Sequence, residues 1–307
     1  MGLIASTFRW LNRFWFGPQQ DTVYAICRIA FAIVSIANWI DLFPHRYHFF
    51  APDGLVDQSV VKELTSKSGL YYFSFFYYID DYSGVDLIFG CSLIAMLGLL
   101  IGFGSRLCAV GCWLWYLSYT NYAFMAMHSW DDLLRVYAFV MMISPLGKGI
   151  DQYWVPKVFS FVRYPTQVPR YGLALLQIQL ALMYWHTLWL KLADSYWRNG
   201  ELMSYFLMSM YARFPSVDFA HWMLISNALT YGTLALELMI PIWLWQKNRK
   251  RLGFLCGVGL HVGIAVTSDL ALFSASALLL YLAFWDEDDI NAIRKRLPFQ
   301  QSRSTTT

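Results

Sequence analysis

Charged residues are scarce in this sequence. Asp, Glu, Lys and Arg make up 14% of its 307 residues, whereas hydrophobic residues make up 58% and aromatic residues 19%. A soluble domain has charge on about a quarter of its residues, because its surface must face water. Here the apolar residues also lie in long runs. The composition therefore predicts an integral membrane protein, and the net charge of +3 gives no basis for nucleic-acid binding.

The motifs of common soluble enzymes are missing too. The sequence has no Walker loop, no HExxH and no GxSxG. Its five cysteines form no spaced pairs of the zinc type, and we expect no metal site. Cys108 and Cys112 are one helical turn apart, which leaves a redox or metal pair open. All five nevertheless lie in or beside apolar runs, which favours a packing role.

The apolar runs define the predicted fold. A helix needs roughly 20 apolar residues to cross a bilayer. Candidate spans lie at 22–42, 85–103, 107–127, 132–146, 171–191, 222–245, 252–268 and 270–285. We therefore predict an all-α integral membrane protein, a bundle of about eight transmembrane helices. Residues 1–20 form a cytoplasmic interfacial lead-in, residues 21–286 the transmembrane domain, and residues 287–307 a cytoplasmic tail.

The positive charges between the runs predict the orientation. With the N-terminus inside, the inner segments carry fifteen Lys and Arg residues and the outer segments five. The block QKNRKR at 246–251 is the strongest inner marker. Because positive residues are enriched on the cytoplasmic side, both termini are predicted to be cytoplasmic. The two long outer loops, 44–84 and 192–221, are rich in aromatic residues and are predicted to form lateral helices.

Polar residues within the spans need a reason, since a charge near the bilayer centre costs about 2.5–3.5 kcal/mol on insertion scales. Lys191 lies at the outer end of the fifth span. It is either an anchor whose ammonium reaches the headgroups or a desolvated base. His261 lies about seven residues inside the seventh span, with no evident partner in its local sequence.

Two further groups could be structural. Asp131, Asp132 and Arg135 follow His128 where the fourth span begins, and they either cap and pair within the helix or orient the imidazole. An ion pair between Asp131 and Arg135 is predicted from their spacing. Glu237 lies deep in the sixth span, with Arg28 at a comparable depth, so a Glu–Arg pair between helices is predicted. The neutral polar residues Gln177 and Gln179 accompany them in the fifth span.

One segment resembles a known family. The stretch QLALMYWHTLWLKLADSYWRNG at 179–200 is similar to the transmembrane domain of vitamin K-dependent γ-carboxylases and their bacterial relatives, the HTTM proteins. The pattern of that family matches here Gln179, Tyr184, Lys191, Trp197 and Gly200, with one extra residue between the lysine and the tryptophan.

Other segments agree with the resemblance in order. MHSWDDLLRVYAFVMM resembles the histidine–serine segment of the family and places His128 on its functional histidine, although the asparagine before it in the animal enzymes is Met127 here. The segment from Glu237 to Ser274 resembles the acidic helix, basic turn, histidine and Phe–Ser sequence at the end of the domain, with His261 as its histidine. FAPDGLV at 50–56 also suits the bacterial relatives.

The resemblance implies a chemistry. Lys191 would be the base that deprotonates a reduced vitamin K or another menaquinol-like quinol, and His128 a partner that orients it or transfers protons. His261, Tyr184, Gln179 and Trp197 would line the site. Oxygen would then convert the quinol to an epoxide while a strong base removes a glutamate γ-proton, to which carbon dioxide adds. A secreted peptide or protein would be the substrate, at the outer face of a bacterial inner membrane.

Two other functions fit the same sequence. A non-catalytic protein could keep the fold and handle lipids, or help a secreted peptide to mature. A transporter is less well supported, because no internal repeat or pair of interrupted helices is evident. The sequence predicts membrane lipids as partners and gives no oligomeric state.

Overall fold

A computed structural model describes residues 2–55, 57, 59–60, 63, 73–149, 165–215 and 221–296. Within these residues the chain is mostly helical. In chain order, the first seven described helices are α1 (Gly2–Phe16), α2 (Asp21–Leu42), α3 (Arg46–Phe50), α4 (Tyr82–Ile101), α5 (Ser105–Tyr122), α6 (Ser129–Ile143) and α7 (Tyr171–Ala193). The later ones are α8 (Ser195–Arg198), α9 (Leu202–Met208), α10 (Met223–Trp245), α11 (Lys250–Thr267), α12 (Ala271–Tyr281) and α13 (Glu287–Arg296).

Short elements complete the described chain. Single turns of 3₁₀-helix lie at Phe43–His45, Phe75–Tyr78, Phe124–Ala126 and Leu282–Phe284. Strands β1 (Pro18–Gln20) and β2 (Gln167–Pro169) pair antiparallel, with Gln19 opposite Val168. This small sheet joins the segment before α2 to the segment before α7.

All eight predicted spans are helical in the structure. In the described part of the chain, five helical stretches are long and apolar enough to cross a membrane: Asp21–Phe50, Tyr82–Ile101, Tyr171–Ala193, Met223–Trp245 and Lys250–Thr267. Helices α6 and α12 are shorter, and α5 carries polar residues such as Ser118, Thr120 and Asn121. The fold is therefore an all-α membrane bundle, and the count of eight stays a prediction.

The long helices alternate in direction, because short connections join most of them. Gly102 and Gly104, both in the left-handed region at φ 74° and 55°, turn α4 into α5. Residues 246–249 likewise turn α10 into α11. The bundle therefore has a Lys191 end, where α2, α5, α7 and α11 finish, and an Arg28 end, where α4, α6 and α10 finish.

Arg28 links three segments at the Arg28 end. Its side chain is buried, and its guanidinium donates to four backbone carbonyls. Nε lies 2.9 Å from the oxygen of Leu146, Nη2 lies 2.8 Å from that of Lys148, and Nη1 bonds to those of Leu99 and Leu100. These carbonyls belong to the last turn of α4 and the loop after α6. The predicted pair between Arg28 and Glu237 is therefore wrong.

Glycines give the guanidinium its space. A Cβ on Gly102 would lie 2.9 Å from the Arg28 guanidinium and 2.4 Å from Cα of Gly149, while a Cβ on Gly147 would lie 2.1 Å from the backbone nitrogen of Ala25. Contacts under 3 Å force the backbone to move. Only glycine lets the two loops approach α2 closely enough for their carbonyls to reach Arg28.

The C-terminal tail begins as a helix. Lys250, at the start of α11, forms ion pairs with Asp286 at 2.6 Å and Asp289 at 2.5 Å, next to and within α13. Partial burial alone would raise the pKa of Asp286, but hydrogen bonds from Lys250 and from the backbone N–H of Asp289 outweigh it and lower that pKa. This cluster ties α13 to the basic turn at 246–251. The polar stretch 301–307 lies outside the described residues.

Replacing Arg28 with Met should destabilise the bundle. Four carbonyls would lose their donor, two of them in buried hydrogen bonds, and we expect a loss of about 3 kcal/mol or more in the free energy of unfolding. Chemical unfolding in detergent micelles measures this loss, with Arg9→Met on the exposed face of α1 as the matched control. An equal, small effect for both variants would show that the Arg28 hydrogen bonds do not stabilise the fold.

Candidate functional site

Helices α7, α10 and α11 enclose an apolar cavity at the Lys191 end. Its volume is about 280 Å³. The lining side chains are Met183, Tyr184, Thr187, Lys191, Trp197, Leu202, Met203, Phe206, Thr233, Glu237, Leu260, His261, Ile264, Leu270 and Phe273. Most are apolar, so the few polar groups are the only directional features of its wall.

Lys191 reaches this cavity from one face of α7. Tyr184, Thr187 and Lys191 are three and four residues apart, so they lie along the same side of the helix. The ammonium of Lys191 pairs with Glu237 of α10 and lies 4.6 Å from the ring centroid of Trp197. The Lys191 side chain is 23% exposed. Lys191 was predicted to be either an anchor in the lipid headgroups or a desolvated base. The geometry disagrees with the anchor, because the ammonium is bound by groups of the protein.

Glu237 is a buried carboxylate with one free oxygen. Oε1 accepts a hydrogen bond from Lys191 Nζ, whereas Oε2 has no hydrogen-bond partner among the described residues. Pro241, one turn later in α10, has no N–H to bond the Glu237 carbonyl, so the helix hydrogen-bond ladder is interrupted here. The interruption lies where the acidic side chain faces the cavity.

A chain of hydrogen bonds connects His261 to two tyrosines. His261 Nε2 lies 2.8 Å from the hydroxyl of Tyr184, which lies 2.5 Å from the hydroxyl of Tyr281 in α12. The described residues provide no partner for His261 Nδ1. A Cβ on Gly257, one turn before His261, would lie 2.0 Å from the Tyr281 hydroxyl oxygen. Glycine at this position therefore makes room for the three-residue chain.

A lateral segment, residues 194–215, covers the cavity. Its short helices are held by hydroxyl groups of α10: Ser226 Oγ accepts from the N–H of Ser204 at 3.1 Å and donates to the carbonyl of Gly200 at 3.1 Å. The N–H of Met203 donates to Thr230 Oγ1 at 3.3 Å. Short lateral helices in the second long loop were predicted, and the structure contains them. In the first long loop, helix α3 is described, and residues 64–72 lie outside the described residues.

His128 does not line this cavity. It lies at the same end of the bundle but borders a second, polar cleft of about 460 Å³ between α2, α3, α5 and α6. Its ring stacks on Trp130 with centroids 4.0 Å apart, and its Nδ1 is 4.0 Å from Asp131 Oδ2. His45 and His48 border the same cleft. The prediction that His128 is a direct partner of Lys191 is therefore wrong in this geometry.

The acidic residues after His128 differ from their predicted pairing. Arg135 pairs with Asp132 at 2.8 Å, not with Asp131. Asp131 is buried and accepts hydrogen bonds from the His128 backbone N–H at 2.8 Å, from Asn38 and from Tyr119. Asp131 thus caps α6 and joins it to α2 and α5, while Asp132 forms the ion pair.

Gln179 was predicted to line the site, but the structure places it elsewhere. It is partly exposed and does not line the cavity. Gln177, on a different face of α7, donates to the carbonyl of Ala283 at 2.8 Å and accepts from Arg170 at 3.2 Å. Tyr184, Trp197 and His261 line the cavity, and their binding role stays a prediction.

The sequence reasoning missed Tyr281 and the partnership of Glu237 with Lys191. One signal was available for each. Gly257, Gly253 and His261 are four residues apart, which indicates a close helix contact on the histidine face, and they are the buried residues of α11. Pro241 four residues after Glu237 marks the helix irregularity that accompanies the acidic side chain.

Comparisons with family models, with curated proteins and with solved structures give no match to this chain. The resemblance to the carboxylases therefore stays a prediction that rests on its motifs. Among the described residues, no three His, Cys, Asp or Glu side chains are placed to hold a metal ion.

Replacing Gly257 with Ala should break the Tyr281–Tyr184–His261 chain. The new methyl group overlaps the Tyr281 hydroxyl, and overpacking of this kind costs about 1–3 kcal/mol. Gly259→Ala is the control, since its Cβ would meet nothing within 4 Å. Thermal unfolding of both variants tests this, and equal melting temperatures would contradict the observed packing.

Proposed function

We propose that this protein is a membrane enzyme that binds a lipophilic quinol beside Lys191 and deprotonates one of its hydroxyl groups. The proposal includes eight membrane spans, a bacterial inner membrane location and cytoplasmic termini, so that the Lys191 end faces outward. The observation that carries it is the Lys191–Glu237 pair in the wall of an otherwise apolar cavity. Ionisable residues within membrane segments often mark a site that binds or reacts.

Lys191 is the better base of the pair. A primary amine and a phenolate differ little in basicity, whereas a carboxylate is a weaker base by about six orders of magnitude. Proton transfer from a quinol hydroxyl to an amine is therefore nearly balanced, and transfer to a carboxylate is not. The apolar surroundings disfavour the charged forms of both residues, so in the proposed step the pair first becomes neutral, with the proton of the Lys191 ammonium on Glu237, and the freed amine then takes the proton of the quinol. No net charge enters the cavity.

The cavity suits the head group of such a ligand. Its volume of about 280 Å³ lies at the lower limit of small-molecule pockets, so it holds a ring system and not a long tail. Met203, Phe206 and Phe273 offer apolar contacts to a ring, while Glu237 and His261 offer polar contacts to its oxygens. The lateral segment limits the access of water, which favours a strongly basic intermediate.

The rest of the proposed reaction follows the resemblance. Quinol and molecular oxygen give the quinone epoxide and water, a balanced conversion. Carbon dioxide would be a further substrate where a peptide glutamate is carboxylated. The polar cleft of His128 opens at the same end of the bundle and would receive this secreted peptide or protein, so His128 acts on the polar substrate and not on Lys191.

A second function rests on the same ion pair. The pair could only hold α7 to α10 in a protein that handles lipids or peptides without catalysis, because buried ion pairs are often structural. A structural pair can be replaced by apolar side chains of similar size with little effect. The double variant Lys191→Met with Glu237→Met therefore separates the two functions.

Epoxide formation tests the proposal. We expect protein in nanodiscs to convert a 2-methyl-naphthoquinol to its epoxide under oxygen, detected by mass spectrometry, since autoxidation gives the quinone instead. Lys191→Met and the double variant should lose at least about 100-fold in rate, because general-base catalysis contributes that much. Lys247→Met, on an exposed turn, is the control and should keep full activity.

The results separate the alternatives. Epoxide yields that stay equal in wild type and Lys191→Met, or no epoxide from any quinol, would overturn the enzymatic proposal. A cellular phenotype that persists in the folded double variant would support the non-catalytic function.

A further inference from the structure

Tyr281 lies at the end of a hydrogen-bond chain that leads to the cavity. Its side chain is 1% exposed, and the described residues offer its hydroxyl one hydrogen-bond partner, the oxygen of Tyr184. The Tyr184 hydroxyl in turn contacts His261 Nε2. The three groups come from α12, α7 and α11, so the chain joins three helices at one point.

The surroundings of His261 favour its neutral imidazole. It is 2% exposed and borders the same cavity as the Lys191 ammonium. A second positive charge would be desolvated and would be repelled by Lys191. One ring nitrogen of His261 therefore carries a hydrogen and the other does not, and the neighbouring hydrogen bonds decide which.

Counting hydrogens along the chain selects the tautomer. If Tyr281 donates to Tyr184 and Tyr184 donates to Nε2, both hydroxyl hydrogens are used, and Nε2 accepts. In the opposite direction the Tyr281 hydrogen would have no acceptor among the described residues. The first direction leaves one buried group unpaired, the Nδ1–H of His261, whereas the opposite direction leaves two, the Tyr281 hydroxyl hydrogen and the Nδ1 lone pair. Unpaired buried polar groups are costly, so the first direction is favoured. The hydrogen of His261 is then on Nδ1, the nitrogen without a described partner.

We infer that His261 Nδ1–H is a hydrogen-bond donor to an anionic oxygen of the bound ligand, and that Tyr281 is the positioning residue that keeps the hydrogen there. Lys191 and His261 then present two donors to one cavity, the arrangement that stabilises a developing negative charge. The ligand class is a hydroxyaromatic molecule in its ionised form. Its identification as a quinol rests on the proposed function, whereas the tautomer does not.

Nitrogen-15 NMR of histidine-labelled protein tests the tautomer directly. The chain has 6 histidines, and the His261→Gln spectrum identifies the signal of His261. We expect a protonated Nδ1 and an unprotonated Nε2 in wild type and in Tyr116→Phe, a fully buried tyrosine that does not line the cavity. Tyr281→Phe should give a mixture of tautomers. A proton on Nε2 in wild type would overturn the inference, without the use of any variant.

Ligand binding tests the consequence. The probes are 2-hydroxy-1,4-naphthoquinone, which is anionic at neutral pH, and 2-methyl-1,4-naphthoquinone, which is neutral and of similar size. We expect the ratio of their affinities to favour the anion in wild type and to fall by about tenfold in Tyr281→Phe, since one charge-assisted hydrogen bond is weakened. Tyr116→Phe should keep the wild-type ratio. An unchanged ratio in Tyr281→Phe would overturn the role of Tyr281.

The two proposals fail separately. Protein that makes no epoxide but shows the Nδ1 tautomer and the anion preference would refute the quinol reaction and keep the inferred site. Protein that makes epoxide but carries the His261 proton on Nε2 would support the quinol reaction and refute the inferred site.

Discussion

The ion pair between Lys191 and Glu237 constrains the packing around the cavity. Either charge alone would be costly among apolar side chains, so α7 and α10 must pack in the one register that joins them. That register brings Trp197 against the ammonium and leaves Glu237 Oε2 unpaired within the described residues. It also sets the separation of the helices, from which the cavity follows. The cavity therefore results from the need to pair the charge of Lys191 within the bundle.

Arg28 meets the same requirement in a different way. Its guanidinium is saturated by backbone carbonyls, and glycines in two loops allow that approach. A planar cation with several fixed donors suits this task, because it can bind several carbonyls at once and does not release its proton. A lysine and a glutamate, in contrast, can pass a proton from one to the other, and both side chains keep atoms free for further hydrogen bonds. The bundle therefore has a cation bound by backbone carbonyls at one end and a cation paired with a carboxylate at the other.

Hydropathy predicted the positions of the helices well, but it predicted poorly how each helix is rotated about its axis. Each apolar run became a helix, and Lys191, His128 and His261 lie at one end of the bundle as their depth required. Depth along the membrane normal says nothing about which direction a side chain faces, and the errors share this cause. Glu237 and Arg28 have comparable predicted depths but face different neighbours, and His128 faces α2 and α3 instead of α7. Tyr281 carried no charge to draw attention to it, and only its contact with Gly257 reveals its place.

The two cavities at the Lys191 end differ in their surroundings as well as their polarity. Helices α10 and α11 flank the apolar cavity and are the least buried of the candidate spans, with 22% and 17% of their apolar windows buried, against 50% for Asp21–Phe50. The apolar cavity therefore lies beside the two candidate spans whose apolar residues are most exposed on the outside of the bundle. The polar cleft instead borders α2, the most buried span, and exposed histidines. A protein that joins a membrane-soluble reactant to a polar one requires such a division, because each reactant needs its own route from its own solvent.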